Sequence, residues 1–174
     1  MRHTAHGLTL VELLVSLTVL SILLGMGIPA FTKVIEGQRL ANATTQLQTA
    51  LMFARTEALK GHVPVMLDNG DGNWATGWRI YKDTNNDGTL DSGEPISSEF
   101  AGMPPGVIVK HRETVADYVR YMPSGRALKS GGAIQMGTFA LCHQGEQQPV
   151  RKLVLNAGGR VRLEKLAPGP CPDL

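Results

Sequence analysis

The sequence predicts an α+β protein, in which one long N-terminal helix packs on a small antiparallel β-rich C-terminal domain. Residues 13–32 contain no charged side chain, and apolar residues recur every three or four positions between residues 43 and 58. From residue 62 onward, short β-type segments alternate with turns rich in Gly and Pro. A helical period followed by short punctuated strands is typical of this fold class.

The uncharged run from Leu13 to Thr32 is long enough to cross a bilayer, because a helix of that length rises about 30 Å. Glu12 stands at its start, behind a short leader that contains Arg2. A carboxylate at a bilayer centre costs about 2.5–3.5 kcal/mol, which indicates a specific cationic partner. A secretory signal has a shorter apolar core with a cleavage site behind it, and a plain single-pass anchor does not explain Glu12. Arg2 predicts a cytoplasmic N-terminus, with most of the chain outside.

The second half of the helix is expected to be amphipathic and to pack on a sheet. It should end near Gly61, since Gly is favoured where helices terminate and Lys60 is well placed against the helix dipole. The predicted buried stripe consists of Ala43, Leu47, Ala50, Leu51, Ala54 and Ala58.

Seven strands are predicted beyond the helix from their apolar and β-branched residues and their flanking turns. They are Val63–Leu67, Gly77–Lys82, Val107–His111, Tyr118–Met122, Gly137–Cys142, Lys152–Leu155 and Arg160–Lys165.

The N-terminal segment, from Gly7 and Leu8 to Glu12 and the apolar run, resembles the signal of type IV pilins and related pseudopilins. The resemblance implies that a prepilin peptidase cuts after Gly7 and methylates the new N-terminus at Leu8, where most members have Phe. It also implies that Glu12 pairs with the N-terminal amine of a neighbouring subunit during filament assembly. An ammonium is the partner that a buried carboxylate needs.

The expected organisation has three parts: a leader of residues 1–7, a helix of residues 8–61 that is transmembrane to about residue 32, and a periplasmic β-rich domain of residues 62–174. In the periplasm Cys142 and Cys171 are expected to form a disulfide that fixes the Pro-rich tail. Free thiols are the alternative. The chain is thus expected in the inner membrane, as a single pass, and in the pilus filament after assembly.

Two internal segments narrow the family. Residues 73–81, Asn-Trp-Ala-Thr-Gly-Trp-Arg-Ile-Tyr, followed by a loop that ends Gly93-Glu94-Pro95, are similar to the FimT/GspH group of minor pilins and pseudopilins. Residues 54–58 at the end of the helix are similar as well. With the N-terminal signal, the resemblance spans nearly the whole chain.

The segment from Asp83 to Glu94 fits the twelve-residue calcium-loop pattern D-x-N-x-D-G-x5-E. Gly88 would allow the sharp turn. Strand-like flanks replace the paired helices of an EF-hand, and Asp, Asn and Gly are also ordinary turn residues, so a solvated turn is the alternative. The calcium ligands would be Asp83, Asn85, Asp87, Thr89, Asp91 and Glu94.

The strands near residues 152 and 165 are expected to form a hairpin with the three-residue loop 157–159 and a left-handed Gly159. Leu155 then opposes Val161, and the apolar side chains share one face of the hairpin while Arg160 and Arg162 share the other. A two-residue loop would place both arginines beside leucines, so the separation of apolar and charged residues favours the longer loop.

On this reading two guanidiniums project from one strand about 7 Å apart, and Arg binds phosphate bidentately. In FimT-like minor pilins a C-terminal G-R-x-R motif is associated with DNA binding during natural transformation. Here it maps to Gly159, Arg160 and Arg162. An exposed hairpin whose charges only maintain solubility is the alternative. Further basic candidates are Arg151, Lys152 and Lys165 on the hairpin, with Arg126 and Lys129 after Pro123.

Charge is distributed unevenly along the chain, which can mark separate partners for its two parts; surfaces that interleave in the fold and cancel are the alternative. Residues 101–174 carry ten Lys and Arg against five Asp and Glu, whereas residues 62–100 carry two against seven. The expected function is that of a minor type IV pilin that captures extracellular DNA, with other pilin subunits, prepilin peptidase, DNA and the inner membrane as partners. A structural or priming minor pilin, or a GspH-like pseudopilin of type II secretion without DNA binding, is the alternative. No catalytic constellation and no required cofactor are evident.

Overall fold

A computed structural model of the chain describes residues 9–174, without the side chains of residues 26–30. Helix α1 extends from Leu10 to Gly61. The chain divides into two compact units, Met1–Ile35 and Glu36–Leu174. Gly7 and Leu8, the predicted processing positions, lie outside the described residues.

In the first unit, α1 begins with a side-chain cap. The Thr9 Oγ1 atom accepts a hydrogen bond of 3.2 Å from the backbone N–H of Glu12, and Glu12 lies in the first turn. Acidic residues are favourable there because the N-terminus of a helix carries partial positive charge. The apolar side chains from Leu10 to Leu24 are exposed. Across the part of the chain that the structure describes, no helix is both long and apolar enough to span a membrane.

In the second unit, the helical stripe packs as the sequence predicts. Its six residues are fully buried, together with Leu40 one turn earlier. The helix ends at Gly61, as expected, but the residue with the left-handed backbone is His62, whose φ is 54°. The termination at this point therefore does not depend on the conformational freedom of Gly61.

Eight strands are found within residues 9–174 and form two four-stranded antiparallel sheets, ordered β3-β2-β1-β5 and β4-β6-β7-β8. A 3-10 turn, Glu113–Val115, precedes β5. The strands are β1 (Val65–Asp68), β2 (Gly77–Lys82), β3 (Ile96–Ala101), β4 (Val107–His111), β5 (Tyr118–Tyr121), β6 (Gly137–His143), β7 (Pro149–Leu155) and β8 (Val161–Pro168).

All seven predicted strands are present, and β2 and β4 have the predicted bounds. β3 was not predicted. It is an edge strand with mostly exposed side chains, and only two large apolar residues, Ile96 and Phe100, mark it in the sequence. An edge strand needs no continuous apolar pattern because much of its surface remains in water.

One hydrophobic cluster joins the second half of α1 to both sheets. Trp74 lies within it, with its indole N–H donating to the Val115 carbonyl oxygen at 2.9 Å and its ring packed edge-on against Phe139. The side chains contributed by α1, by the first sheet and by the second sheet include Leu47, Leu67 and Leu153 respectively. The fold is therefore the predicted α+β arrangement.

A disulfide and an ion pair hold the C-terminal tail. Cys142 in β6 is bonded to Cys171, as expected from the sequence. Beyond the bond, the Asp173 carboxylate contacts the Lys110 ammonium of β4. That contact lowers the pKa of Asp173 below its ordinary value. The tail is thus attached to two neighbouring strands of one sheet.

Candidate nucleic-acid interface

The hairpin formed by β7 and β8 has the predicted loop of three residues. Leu155 pairs with Val161, and Gly159 is left-handed with φ of 74°. The Gly159 N–H donates to the Asn156 carbonyl oxygen at 2.9 Å, and the Asn156 Oδ1 atom accepts from the N–H groups of Gly158 and Arg160 at 3.0 Å each. The Asn156 side chain therefore closes the turn from which Arg160 projects.

Arg160 and Arg162 lie on the outward face of the hairpin, as the longer loop predicts, and both are exposed. Their surroundings differ. The Arg162 Nη2 atom lies 2.7 Å from Glu164 Oε1, and Glu164 opposes Lys152 on the same face. Among the described residues, no acidic side chain forms an ion pair with Arg160. The two arginines are consequently unequal, and Arg160 is the one with an unneutralised charge.

Two of the predicted DNA-binding residues lie elsewhere on the hairpin. Arg151 pairs with Lys165 across β7 and β8, on the face that carries the Leu153–Leu163 pair. Side chains alternate between faces along a strand, so neither residue shares the face of Arg160. The Arg151 Nε atom is also buried. The outward basic group on the hairpin is therefore Arg160, Arg162 and Lys152.

The hairpin tip is in close contact with the turn that follows β5. A Cβ atom on Gly159 would lie 2.2 Å from the Gly125 carbonyl oxygen and 3.2 Å from the Tyr121 ring. Gly125 is left-handed as well, with φ of 75°. No other residue type fits at Gly159, because a Cβ would require the two backbones to separate. This glycine is therefore required for packing as well as for the turn.

Arg55 of α1 links these two turns. Its Nε–H donates to the Gly125 carbonyl oxygen at 2.8 Å, and its Nη2–H donates to the Gly158 carbonyl oxygen at 3.4 Å. In the sequence Arg55 is marked only as part of the family resemblance, and this role was not predicted. The signal that could have found it is a charged residue between Leu51, Ala54 and Ala58, which all face the core.

An open cleft of about 240 Å³ separates α1 from the hairpin. Within the described ranges, 9–25 and 31–174, no ion pair is found for Arg55, Arg160 or the neighbouring exposed Arg126. The cleft is therefore a region of positive charge without carboxylates. Its lining residues are Met52, Arg55, Thr56, Gly159, Arg160 and Val161.

The Asp83–Glu94 loop folds on hydrogen bonds and on an arginine. Asp83 Oδ2 accepts from the Gly88 N–H at 3.1 Å and lies 3.3 Å from Arg120 Nε. Glu94 Oε1 accepts from the Thr84 N–H at 2.6 Å. These carboxylates shape the turn in the way that Asp and Asn side chains commonly do.

The central part of this loop shows the same use of its oxygens. The Asn85 side-chain amide donates to Asp87 and to Asp91, at 2.8 Å in both cases. The Thr89 N–H donates to Asp87 and is the main cause of the lowered pKa of that carboxyl group. Among the described residues, no group of three His, Cys, Asp or Glu side chains is placed to hold a metal ion. The calcium loop and the solvated turn therefore both stay predictions, and the hydrogen bonds show which groups each would use.

Two family models match the sequence. The model described as type II transport protein GspH matches residues 43–159, and the prokaryotic N-terminal methylation motif matches residues 2–28. A long N-terminal helix whose second half packs on antiparallel sheets, with a methylation motif at its start, defines a pilin-like protein. The chain belongs to the GspH family, as the first match covers more than half of it. The predicted FimT/GspH resemblance is thus confirmed.

Solved structures agree with the fold. The type IV minor pilin FimU of Pseudomonas aeruginosa is 23% identical, with a TM-score of 0.58 over 82% of this chain and 96% of that chain. The minor pseudopilin EpsH from the type 2 secretion system of Vibrio cholerae is 13% identical, with a TM-score of 0.52 over 78% and 99%. No curated protein matches the sequence. The GspH match ends at Gly159, so Arg160 and Arg162 lie outside it.

Proposed function

We propose that this member of the pilin and pseudopilin family is a minor type IV pilin that binds extracellular DNA without sequence specificity, for uptake in natural transformation. The supporting observation is the outward face of the β7–β8 hairpin, where Arg160 is exposed and has no acidic partner among the described residues. Guanidiniums on a strand contact phosphates of the nucleic-acid backbone, and such contacts carry no sequence information.

Four large aromatic residues of the β-rich domain are unavailable for base contacts. The ring systems of Trp74, Trp78, Tyr81 and Tyr121 are buried in the core. Base stacking on aromatic side chains supports many single-strand binding sites. The contacts proposed for the basic face are therefore those of Arg160 and Arg162 with phosphates.

The test is DNA binding by the full chain in zwitterionic detergent, which covers the exposed apolar residues of α1. Fluorescence anisotropy with mixed-sequence duplexes should show binding that weakens with salt, with a log–log slope near −0.9 for each phosphate contacted. Arg160→Gln with Arg162→Gln should remove most of the affinity. The matched control is Arg39→Gln with Arg112→Gln, which removes the same charge from exposed positions elsewhere. No binding by the unmodified chain at low salt would reject the proposal.

The second candidate is a structural or priming minor pilin, or a pseudopilin of type II secretion. The GspH family match and the EpsH-like fold favour it. The two candidates differ in one phenotype, because substitution of both hairpin arginines should lower transformation only if the hairpin captures DNA. Normal transformation with impaired secretion would favour the second candidate.

We propose that assembly requires processing after Gly7 and methylation at Leu8. The helix would then anchor the chain in the inner membrane, with the β-rich domain in the periplasm, and Glu12 would pair with another subunit. Glu12→Gln is a sharp test, since Gln is accepted at this position of a helix cap and the substitution removes only the charge. Filament incorporation should fall. Thr9→Ala, which removes the cap and keeps the carboxylate, is the control and should retain incorporation.

A further inference from the structure

The cleft between α1 and the hairpin contains two guanidiniums with no acidic partner among the described residues. Arg55 is half-buried on one side, and Arg160 is exposed on the other. A partly buried charge without a counter-ion is unfavourable, because desolvation is not repaid by a partner. An anion in the cleft would provide that partner.

Arg55 is positioned in advance for such an anion. Two carbonyl oxygens, those of Gly125 and Gly158, accept hydrogen bonds from its Nε–H and from Nη2. The Nη1 group makes no hydrogen bond in the part of the chain described. A guanidinium has five N–H donors in a rigid fork, so several remain for a ligand after these two bonds. Since the fork is already fixed, binding loses little side-chain entropy.

The size and lining of the cleft limit the ligand. A volume of about 240 Å³ exceeds that of a phosphate group, and the cleft is open to solvent, with Arg160 exposed in its lining. Met52 and Val161 supply apolar surface beside the two cations. A phosphodiester has this combination of a charged group and less polar sugar carbons.

We propose that the cleft is an anion subsite that holds one phosphodiester of a nucleic acid between Arg55 and Arg160. The inference rests on the proposed DNA binding and adds a residue of α1 to it. The DNA-binding site then comprises three segments that are distant in sequence: the helix around Arg55, the turn at Gly125 and the hairpin tip. Arg55 both fixes the tip and contacts the phosphate.

The experiment compares Arg55→Gln with Arg55→Lys in the full chain in detergent, with mixed-sequence duplex DNA as the probe. Arg55→Lys keeps a charge in the cleft and should bind within about threefold of the unmodified chain. Arg55→Gln should bind about tenfold more weakly, and its salt slope should be smaller in magnitude by about 0.9, the value for one phosphate contact. Equal binding by Arg55→Gln and the unmodified chain would overturn the subsite.

A structural measurement distinguishes direct contact of Arg55 with the phosphate from support of the hairpin tip alone. Amide hydrogen exchange at Gly159, whose N–H is bonded to Asn156, reports the hairpin turn. Affinity that Arg55→Lys retains and Arg55→Gln loses, with equal exchange at Gly159 in both variants, supports the subsite, because the two variants then differ only in the charge in the cleft. If Arg55→Lys loses affinity as fully as Arg55→Gln while Gly159 exchanges rapidly in both, Arg55 only braces the tip and the subsite is wrong.

Direct titration of the anion distinguishes the two proposals. The NMR signal of the Arg55 Nε–H should shift with duplex DNA and with pyrophosphate alone, and both shifts should decrease in Arg160→Gln. A shift with pyrophosphate but no DNA binding would reject the proposed function and leave an anion subsite. DNA binding without any shift at Arg55 would reject the subsite and leave the function. A shift with phosphatidylglycerol bicelles but not with DNA would assign the cleft to lipid headgroups and overturn the nucleic-acid assignment.

Discussion

Asp83 and Arg120 form an ion pair inside the β-rich unit, with 3.3 Å between Asp83 Oδ2 and Arg120 Nε and side chains that are 0% and 5% exposed. Asp83 directly follows β2, and Arg120 lies in β5 on the other side of β1. The Arg120 Nη2 group also donates to the carbonyl oxygen and to the side chain of Asn86. The guanidinium thus supplies the positive charge on which the start of the acidic loop is organised.

Breaking this pair on one side should be far more costly than removing both charges. We expect Arg120→Met and Asp83→Asn each to lower the free energy of unfolding by about 3–5 kcal/mol, because each leaves a buried charge without its partner. The double variant, which leaves no buried charge unpaired, should lose less than either single variant. Urea denaturation at neutral pH measures all three, and strictly additive losses would show that the two residues do not interact energetically.

The same contact leads to a prediction for calcium. Since Arg120 already neutralises Asp83 and the other oxygens of the loop accept from amides, calcium should release no heat on titration and should not raise the melting temperature. Calorimetry of the full chain in 1 mM CaCl₂, on the order of a thousand times a micromolar dissociation constant, would reveal a site with that affinity. The control is the same measurement with EDTA. A rise in melting temperature that disappears in Glu94→Gln would show that the loop binds calcium.

The C-terminal tail gives a prediction for acidic pH. Hydrogen bonding and charge from Lys110 lower the pKa of Asp173 in the folded chain, so the contact stabilises the fold above the unfolded pKa and is lost as the pH falls through the folded pKa. In Lys110→Gln the pKa of Asp173 should return towards its ordinary value. An NMR titration of the side-chain carboxyl carbon measures both variants. An unchanged pKa in Lys110→Gln would mean that the ion pair does not form in solution.

Tyr121 gives the corresponding prediction for alkaline pH. Burial raises its pKa far above the ordinary value, with a smaller opposing effect from Arg55, and the buried hydroxyl has no hydrogen-bond partner among the described residues. A raised pKa contributes stability that is complete below the unfolded pKa, near 10, and is lost as the pH rises towards the folded pKa.

Tyr121→Phe should therefore raise the free energy of unfolding by about 1 kcal/mol at neutral pH, by removing an unsatisfied polar group, and should reduce the loss of stability above pH 10. Tyr118→Phe is the matched control. Its hydroxyl lies 3.1 Å from Ser130 Oγ, so its removal should be slightly unfavourable. Destabilisation by Tyr121→Phe would indicate a partner for the hydroxyl, such as a bound water.

Much of the fold was predictable because a few patterns determine it. The spacing of Ala43, Leu47 and Ala50 identified the buried stripe of α1, and the separation of apolar and charged residues determined the hairpin register at Leu155 and Val161. Both predictions rest on a regular spacing of apolar residues that is visible in the sequence. The edge strand β3 has no such pattern, and its existence depends on pairing with β2.

The candidate site was predictable only in part. Side chains alternate between the two faces of a strand, and this local rule predicted that Arg160 and Arg162 lie on the same face. Arg151 and Lys165 were included for closeness in sequence, yet they lie on the opposite face. The role of Arg55 depends on contacts 70 and 103 residues away, at Gly125 and Gly158. Such long-range contacts have no signature in a single sequence.

The bond between Cys142 and Cys171, which are 29 positions apart, encloses the whole of β7 and β8. A protease that cuts once within the loop at 157–159 would therefore release no fragment. The disulfide would still join the two pieces covalently, and β7 would still pair with β6. Under oxidising conditions, in which the disulfide is retained, a molecule cut in this loop would persist as one covalent piece. Only cleavage of the loop together with reduction of the disulfide would release β8 and its arginine.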